Sequence, residues 1–481
     1  MVSVGAGGAF GGCHTTPTVS QARDRRRNFV LVMSDEHNPS YSSVYGRSDI
    51  HTPNLQRLAD RGTVFEYAYC PSPLCMPCRS AFMTGKRVHE IQTYNNCNVF
   101  GFDYPNYGSV LRKQGVATAY IGKTDVYRPG SELGFSEMIL PGDRTAPGDT
   151  NFSRTPLNIR EDAAERAGAF GPVNSRPFKG DDAKVEAAVK WLTERAKGSA
   201  APWVLVLNLV KPHFPHYVTP ELWDLYPNGA DLPRYGRDCT SANHPYALDL
   251  RAHFQTDQFT EEQIRGLRRG YLGCVTYVDR QVGKILDALE AGGFLNDTVV
   301  AYTSDHGDML GKFGMWWKCS LYEESVRVPL IVAGPGFKSG TRVGTPVDLH
   351  DLQATMFATV GARRPRDWVG AALQEMPPHS PGRVVFAEYH GHGTRSGAFM
   401  VRKGPWKLLY YMAAPHQLFN LEEDPEELNN VMARHPRVFR ELEAELRGIC
   451  SPEDENRRAH EFERRQLEAL ASLEPRKVSD E

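Results

Sequence analysis

Two acid-rich turns carry the first chemical signal: Ser34-Asp35-Glu36-His37 and Ser304-Asp305-His306-Gly307-Asp308. Either alone reads as a helix cap, because a short carboxylate satisfies free backbone N–H groups. Each, however, directly follows a short apolar run, and together they gather negative charge that a hard divalent cation held by carboxylate oxygens would neutralise. His306 adds a nitrogen donor, which Ca²⁺ tolerates and Mn²⁺ prefers. Between the turns lies Cys75-Met76-Pro77-Cys78-Arg79. Pro77 suits the first turn of a helix, so Cys75 is expected at a helix N-terminus, where unpaired N–H groups favour an anion or oxyanion. Cys75 and Cys78 also form a C-x-x-C pair, but a redox reading leaves the acidic turns and Arg79 without a role.

These groups need a scaffold that brings distant segments together. Five runs, Phe29 to Met33, Ala117 to Ile121, Trp203 to Leu209, Thr298 to Thr303 and Val328 to Val332, are apolar on both faces and read as buried parallel strands. Amphipathic helices, among them 182–196 and 261–291, lie between them. The alternation predicts an α/β fold, a doubly wound, mostly parallel sheet flanked by helices, with ligands at the carboxyl ends of the strands. From about residue 375 the pattern becomes an antiparallel meander, Val384 to Tyr389, Ala398 to Arg402 and Trp406 to Tyr411, followed by helices near 437–446 and 452–470. The expected organisation is a leader over 1–27, a catalytic domain over 28–374 and a smaller α+β subdomain over 375–481. The stretch 128–179, rich in Gly, Pro, Asn and Asp, reads as a surface excursion that could face a substrate.

Composition narrows the function classes. Fifty-six Lys and Arg oppose 58 Asp and Glu, for a net charge of −2, so no basic excess invites nucleic acid. No apolar run approaches the ~18 residues that span a bilayer. Nine scattered cysteines argue against a disulfide framework. Arg25-Arg26-Arg27 imitates an export signal, but the strand-like run after it is part of the site; the expectation is a cytoplasmic protein.

With these residues in hand, the chain resembles the sulfatase family of the alkaline phosphatase superfamily, whose C-x-P-x-R motif is matched by Cys75, Pro77 and Arg79. Thr52-Pro53-Asn54-Leu55, Gly122-Lys123, Lys211-Pro212-His213, Trp317-Lys318, Glu388-Tyr389-His390-Gly391, Trp406-Lys407 and Asp424-Pro425 follow in the family's order, so the resemblance covers roughly 28–470. It looks closest to the choline-sulfatase and arylsulfatase K-like branches. One departure matters: the family's Gly-Lys-x-His reads Gly122-Lys123-Thr124-Asp125. Arylsulfatase K-like uronate sulfatases also carry an acid there, which points to a sulfated sugar acid.

The resemblance implies that Cys75 is converted to formylglycine by a formylglycine-generating enzyme and, as its hydrate, attacks the sulfur of a sulfate monoester. Asp35, Glu36, Asp305 and His306, beside residue 75 itself, would hold a divalent metal, Ca²⁺ foremost, with Mn²⁺ or Mg²⁺ as alternatives. Arg79 would brace the hydrate, Lys123 and Lys318 would grip sulfate oxygens, and His213 would protonate the leaving alcohol. Asp125 would accept a proton in sulfate release or orient Lys123. Asn96, His390 and His392 are expected to touch the substrate, a sulfated sugar, choline sulfate or an aryl sulfate, although His390 and His392 serve equally well as packing between the domains. Related enzymes are often homo-oligomers. Two other readings use the same residues: a phosphonate monoester or phosphodiester hydrolase, and an inactive sulfated-glycan binding protein.

Overall fold

The computed structural model describes residues 1–2, 27–97, 99–101, 103–126, 129–144, 146–198, 201–227 and 231–472. The expected leader therefore lies, but for its ends, outside the described residues. The central sheet has eight strands: β1 (Asn28–Asp35), β2 (Gly62–Phe65), β3 (Ala117–Lys123), β4 (Glu137–Gly142), β5 (Trp203–Pro212), β6 (Thr298–Ser304), β7 (Leu330–Ala333) and β8 (Thr341–Val343). Their spatial order is β8-β2-β7-β6-β1-β5-β3-β4. Along β1, Phe29, Leu31 and Met33 enter one apolar core while Val30 and Val32 enter the other, which is why the run is hydrophobic without alternation. Each such fully buried side chain contributes about 1.5–3 kcal/mol.

The parallel register fixes the site. β1 pairs with β6 and β5, and β5 with β3, all parallel, so their carboxyl ends share one edge. Ser34 lies opposite Ser304, which sets the two acidic turns side by side. One expectation fails. The run read as a fifth parallel strand, Val328 to Val332, is split: Val328 pairs antiparallel with Ala68 in a separate short sheet, and the rest falls in β7, which runs antiparallel to both β6 and β2. A strand buried on both faces is apolar whichever way it points, so composition carries no information on its direction.

Three helices matter for the site. α1 (Cys75–Thr84) is buried along its whole length. α2 (Lys179–Glu194) supplies Asp181, whose carboxylate accepts the Val210 and Lys211 N–H groups and secures the end of β5. α3 (Glu261–Ala291) begins with a reciprocal cap, Thr260 Oγ1 accepting from Gln263 N–H and Gln263 Oε1 from Thr260 N–H.

A second, antiparallel sheet follows in simple order: β9 (Val384–Tyr389), β10 (Ala398–Lys403), β11 (Trp406–Tyr411) and β12 (Gln417–Asn420). Its period-two pattern divides its faces. Val385, Ala387, Tyr389 and Met400 join the main core, whereas Phe386, Phe399 and Val401 pack under α4 (Pro436–Ile449) through Leu442 and Leu446. The last helix, α5 (Pro452–Ser472), returns across the chain so that Phe462 meets Tyr94 and Met76. No helix among the described residues is long and apolar enough to cross a membrane.

Candidate active site

The acidic turns build one wall. Asp35, Cys75, Asp305 and His306 are fully buried and each offers a donor atom within 4.8 Å of the others'. His306 Nδ1–H is set to donate to Gly307 O at 3.0 Å, leaving Nε2 aimed at the carboxylates, 3.7 Å from both Asp35 Oδ1 and Asp305 Oδ1. Burial disfavours a charged imidazole here, yet Asp305 and Cys75 push His306 up to about 10. The same negative charge that would bind a cation therefore holds a proton on this ring.

Glu36 sits beside them with neither carboxylate oxygen accepting a hydrogen bond from any described residue. Burial pushes its carboxyl well above the ordinary range. Its nearest side-chain nitrogens are His213 Nε2 at 3.4 Å and the Lys318 ammonium Nζ at 3.6 Å. An orphaned, buried carboxylate beside two further acids and an imidazole is a donor set that a divalent cation completes.

Cys75 stands at the first position of α1, as its spacing from Pro77 predicts. Its Sγ is 3.3 Å from both His306 Nε2 and Lys318 Nζ and 4.0 Å from Asp35 Oδ1. Burial and Asp35 raise the thiol pKa, but Lys123, Lys318 and His306 outweigh them and the net direction is down. An anion at this position is thus favoured by its surroundings.

Arg79, one turn along α1, ties the wall together. Its Nε donates to Asp305 Oδ2 at 2.8 Å, one Nη to Asp35 Oδ2 at 3.4 Å and the other to Asn208 Oδ1 at 2.9 Å. Lys123 pairs closely with Asp35 and lies 3.2 Å from Asp125. Gly122, at φ 94°, lets β3 approach β5 there: a Cβ would lie 2.2 Å from Asn208 O. Asp125 is gripped in a fork by Arg144 Nε and Nη2, both at 2.7 Å. Burial opposes its ionisation, but Lys123 and Arg144 hold Asp125 well below the usual carboxylate range. It is placed to orient Lys123 rather than to take up a proton.

Lys318 Nζ donates to His213 Nε2 at 2.6 Å, and His213 Nδ1 faces Phe214 O at 2.7 Å. Burial and Lys318 together push His213 well below its ordinary value, so its ring is the neutral acceptor of the Lys318 proton. Glu36, Asp125, Trp317 and Cys319 have φ of 69°, 50°, 60° and 76°, a left-handed conformation costing about 1–3 kcal/mol each. Four such residues around one point mark a site whose geometry the rest of the fold enforces.

The three residues expected to touch substrate are differently placed. Asn96 Oδ1 accepts the Met76 N–H at 3.0 Å and so caps the first turn of α1. His390 is buried among Glu388 (2.9 Å), Tyr94 and Phe399. His392 adjoins the residue after Lys318, with Nε2 3.4 Å from Cys319 Sγ. Trp317 is buried. Asn208 and Arg144 are site residues that the sequence did not single out: each is a lone polar residue whose partner lies far along the chain.

The family model described as Sulfatase matches residues 27–362, and that of the N-sulphoglucosamine sulphohydrolase C-terminal region matches 311–451. The chain is 31% identical over 439 residues to a choline-sulfatase from Rhizobium meliloti (strain 1021), covering 85% of this chain and 83% of that one. It is 28% identical over 470 residues to arylsulfatase K of Danio rerio, covering 92% and 87%. The phosphonate monoester hydrolase of Agrobacterium radiobacter shares the fold at a TM-score of 0.71 and 22% identity, over 88% of this chain and 95% of that one.

Proposed function

The chain belongs to the sulfatase family and hydrolyses sulfate esters, and on that premise we propose a division of labour among its residues and a preferred metal. The observation that carries it is the position of Cys75, at a helix start and within 3.3 Å of Lys318 and His306, facing acids from two adjacent strand ends. Formylglycine made from Cys75 supplies, as its hydrate, an oxygen nucleophile at that point. Asp35, Asp305 and His306, clustered with Cys75, would hold a divalent cation, with Glu36 joining them through its closeness to Asp35, and three carboxylates with one imidazole favour Ca²⁺ over Mn²⁺ or Mg²⁺. When bound, that ion supplies Lewis-acid neutralisation of sulfate charge.

The side chains do the rest. Lys123 and Lys318 bind the peripheral sulfate oxygens from two sides, where developing charge is best met by preorganised cations. Arg79 holds Asp35 and Asp305 in place through its ion pairs with both. The Lys318–His213 pair holds the proton that the departing alcohol oxygen needs. Asp125, fixed by Arg144, orients Lys123.

The test pairs mass spectrometry of the peptide holding residue 75, from protein matured with a formylglycine-generating enzyme, with steady-state rates. We expect the aldehyde mass and faster turnover of 4-nitrophenyl sulfate than of 4-nitrophenyl phenylphosphonate, with Ca²⁺ restoring chelated enzyme better than Mn²⁺ or Mg²⁺. Faster phosphonate turnover would move the chain to the phosphonate hydrolase reading. An unmodified thiol with no turnover of either ester would leave a binding protein.

A further inference from the structure

Asp35 and Asp305 are aimed by Arg79, but nothing aims Glu36 through its side chain: neither of its oxygens has a donor among the described residues. The direction of its carboxylate is therefore set by its backbone. That backbone has already left the sheet, because the pairing of β1 with β6 ends at Ser34 and with β5 at Asp35. Residue 36 then takes φ 69°, a conformation that persists only where its surroundings enforce it.

Two buried hydroxyls from distant segments do the enforcing. Tyr271 of α3 donates to Glu36 O at 2.7 Å and accepts the Asn38 N–H at 2.8 Å, so one oxygen holds the backbone on both sides of His37. Ser304, at the end of β6, accepts the His37 N–H at 2.8 Å and donates to His306 O at 2.9 Å, which ties the first acidic turn to the second. Each hydroxyl uses its one proton and one lone pair without competition. The His37 ring stays inside the fold, with Nδ1 2.6 Å from the Tyr302 hydroxyl and Nε2 3.3 Å from Tyr41 O.

Tyr271 has no freedom to follow a shifting turn. It is fully buried, and its ring meets those of Tyr41 and His216 edge-on at 5.2 and 5.5 Å. Beside it, a Cβ on Gly270 would lie 2.3 Å from His216 O, so α3 rests directly on the segment that follows β5. Loss of the Tyr271 hydroxyl would leave a buried carbonyl and a buried N–H unpaired, and residue 36 would relax towards an ordinary φ that turns its carboxylate elsewhere. We propose that Tyr271 and Ser304 are positioning residues of the cation site, whose hydroxyls lock the first acidic turn and so aim Glu36 at the ion it would share with Asp35, Asp305 and His306. This inference rests on the cation site proposed above and adds to it the groups that set its affinity.

The experiment titrates Ca²⁺ calorimetrically into mature, chelator-stripped enzyme and reads its dissociation constant. Tyr271→Phe and Ser304→Ala should each raise that constant about tenfold, the scale on which groups that orient metal ligands act. At saturating Ca²⁺, kcat for 4-nitrophenyl sulfate should return to within about threefold of the unsubstituted enzyme, because neither hydroxyl touches the ester. The control is Tyr277→Phe on the same helix, which removes a hydroxyl bonded to Asp182 at 2.9 Å. It should lower the urea midpoint as much as Tyr271→Phe does and leave the dissociation constant unmoved. An unchanged constant in Tyr271→Phe and Ser304→Ala, or an equal rise in Tyr277→Phe, overturns the assignment. Should Tyr271→Phe fail to fold, Ser304→Ala decides by the same titration. If the unsubstituted enzyme binds none of Ca²⁺, Mn²⁺ and Mg²⁺, it is the cation site that fails; if it binds Ca²⁺ and the variants bind it equally well, only the positioning role does.

Discussion

The charges at the ends of β1 and β6 and those at the seam between the two sheets are both shut away from water, yet they are paired differently. At the seam, Lys407 Nζ lies 2.8 Å from both Glu323 and Glu427, and Glu323 also accepts from the Tyr69 hydroxyl at 3.1 Å. Glu427 accepts the Glu323 N–H at 2.7 Å, and Arg402 closes the cluster by contacting Tyr69. The cation and its acids answer one another across the joint. At the seam even Glu427 Oε1, which lacks a well-aligned donor, has Lys407 Nζ at 2.8 Å. At the strand ends, by contrast, Glu36 has no hydrogen-bond donor on either oxygen among the described residues and its nearest side-chain nitrogens are 3.4 and 3.6 Å away, and Asp308 Oδ2 has no donor. Burial without pairing is expensive, so a fold keeps it only where something else completes the set. The comparison separates charge that joins two parts of a protein from charge that awaits a ligand.

The sharpest break between the two regions should come from Cys75→Ala. It is expected to cut kcat for an aryl sulfate by about 10⁴-fold or more, roughly 5.5 kcal/mol of transition-state stabilisation, read from residual turnover. Lys407→Met should do the opposite. Leaving Glu323 and Glu427 buried without their cation should cost about 3–5 kcal/mol of stability in urea unfolding, with the activity of the folded fraction retained. If Lys407→Met instead abolished activity at unchanged stability, the division between the clusters would be wrong.

Cation addition gives a finer discrimination. Ca²⁺ at a hundred times its dissociation constant should raise stability by about 2.7 kcal/mol. Glu36→Gln should shrink that increment severalfold, whereas Lys407→Met should leave it intact. Thermal unfolding with and without chelator measures all three proteins.

The smallest expected effect concerns pH at the seam. Burial pushes Glu427 up to about 7, from an ordinary 4.5, against the pull of Lys407. The folded form then binds more protons than the unfolded chain between those values. Its contribution is whole below pH 4.5 and is lost as pH rises through 7. Glu427→Gln should flatten the fall of the urea midpoint across that window; an unchanged slope would place the titration elsewhere.

How much of this was legible in the chain varies with the range of the forces involved. The apolar spacing of helix α3 over 261–291 is legible because it is local, and the Thr260–Gln263 cap found in the structure agrees with its start. Cys75 at the start of α1 followed from Pro77 for the same reason. The direction of β7 was not legible, since its neighbours on both sides hide its orientation. Nor was the use of Asn96 as a helix cap, or the fork of Arg144 on Asp125, because each joins residues about twenty apart with other secondary structure between them.

The order of the residues alone determined which groups carry charge, where strands and helices begin, and which cysteine heads a helix. Those are properties of neighbours a few bonds apart, governed by backbone sterics and capping. Which acids remain unpaired, which histidine reaches the nucleophile and which one packs inside were decided only in three dimensions. Pairing depends on distance and on exclusion of water, and the chain acquires both only when its sheets close over it.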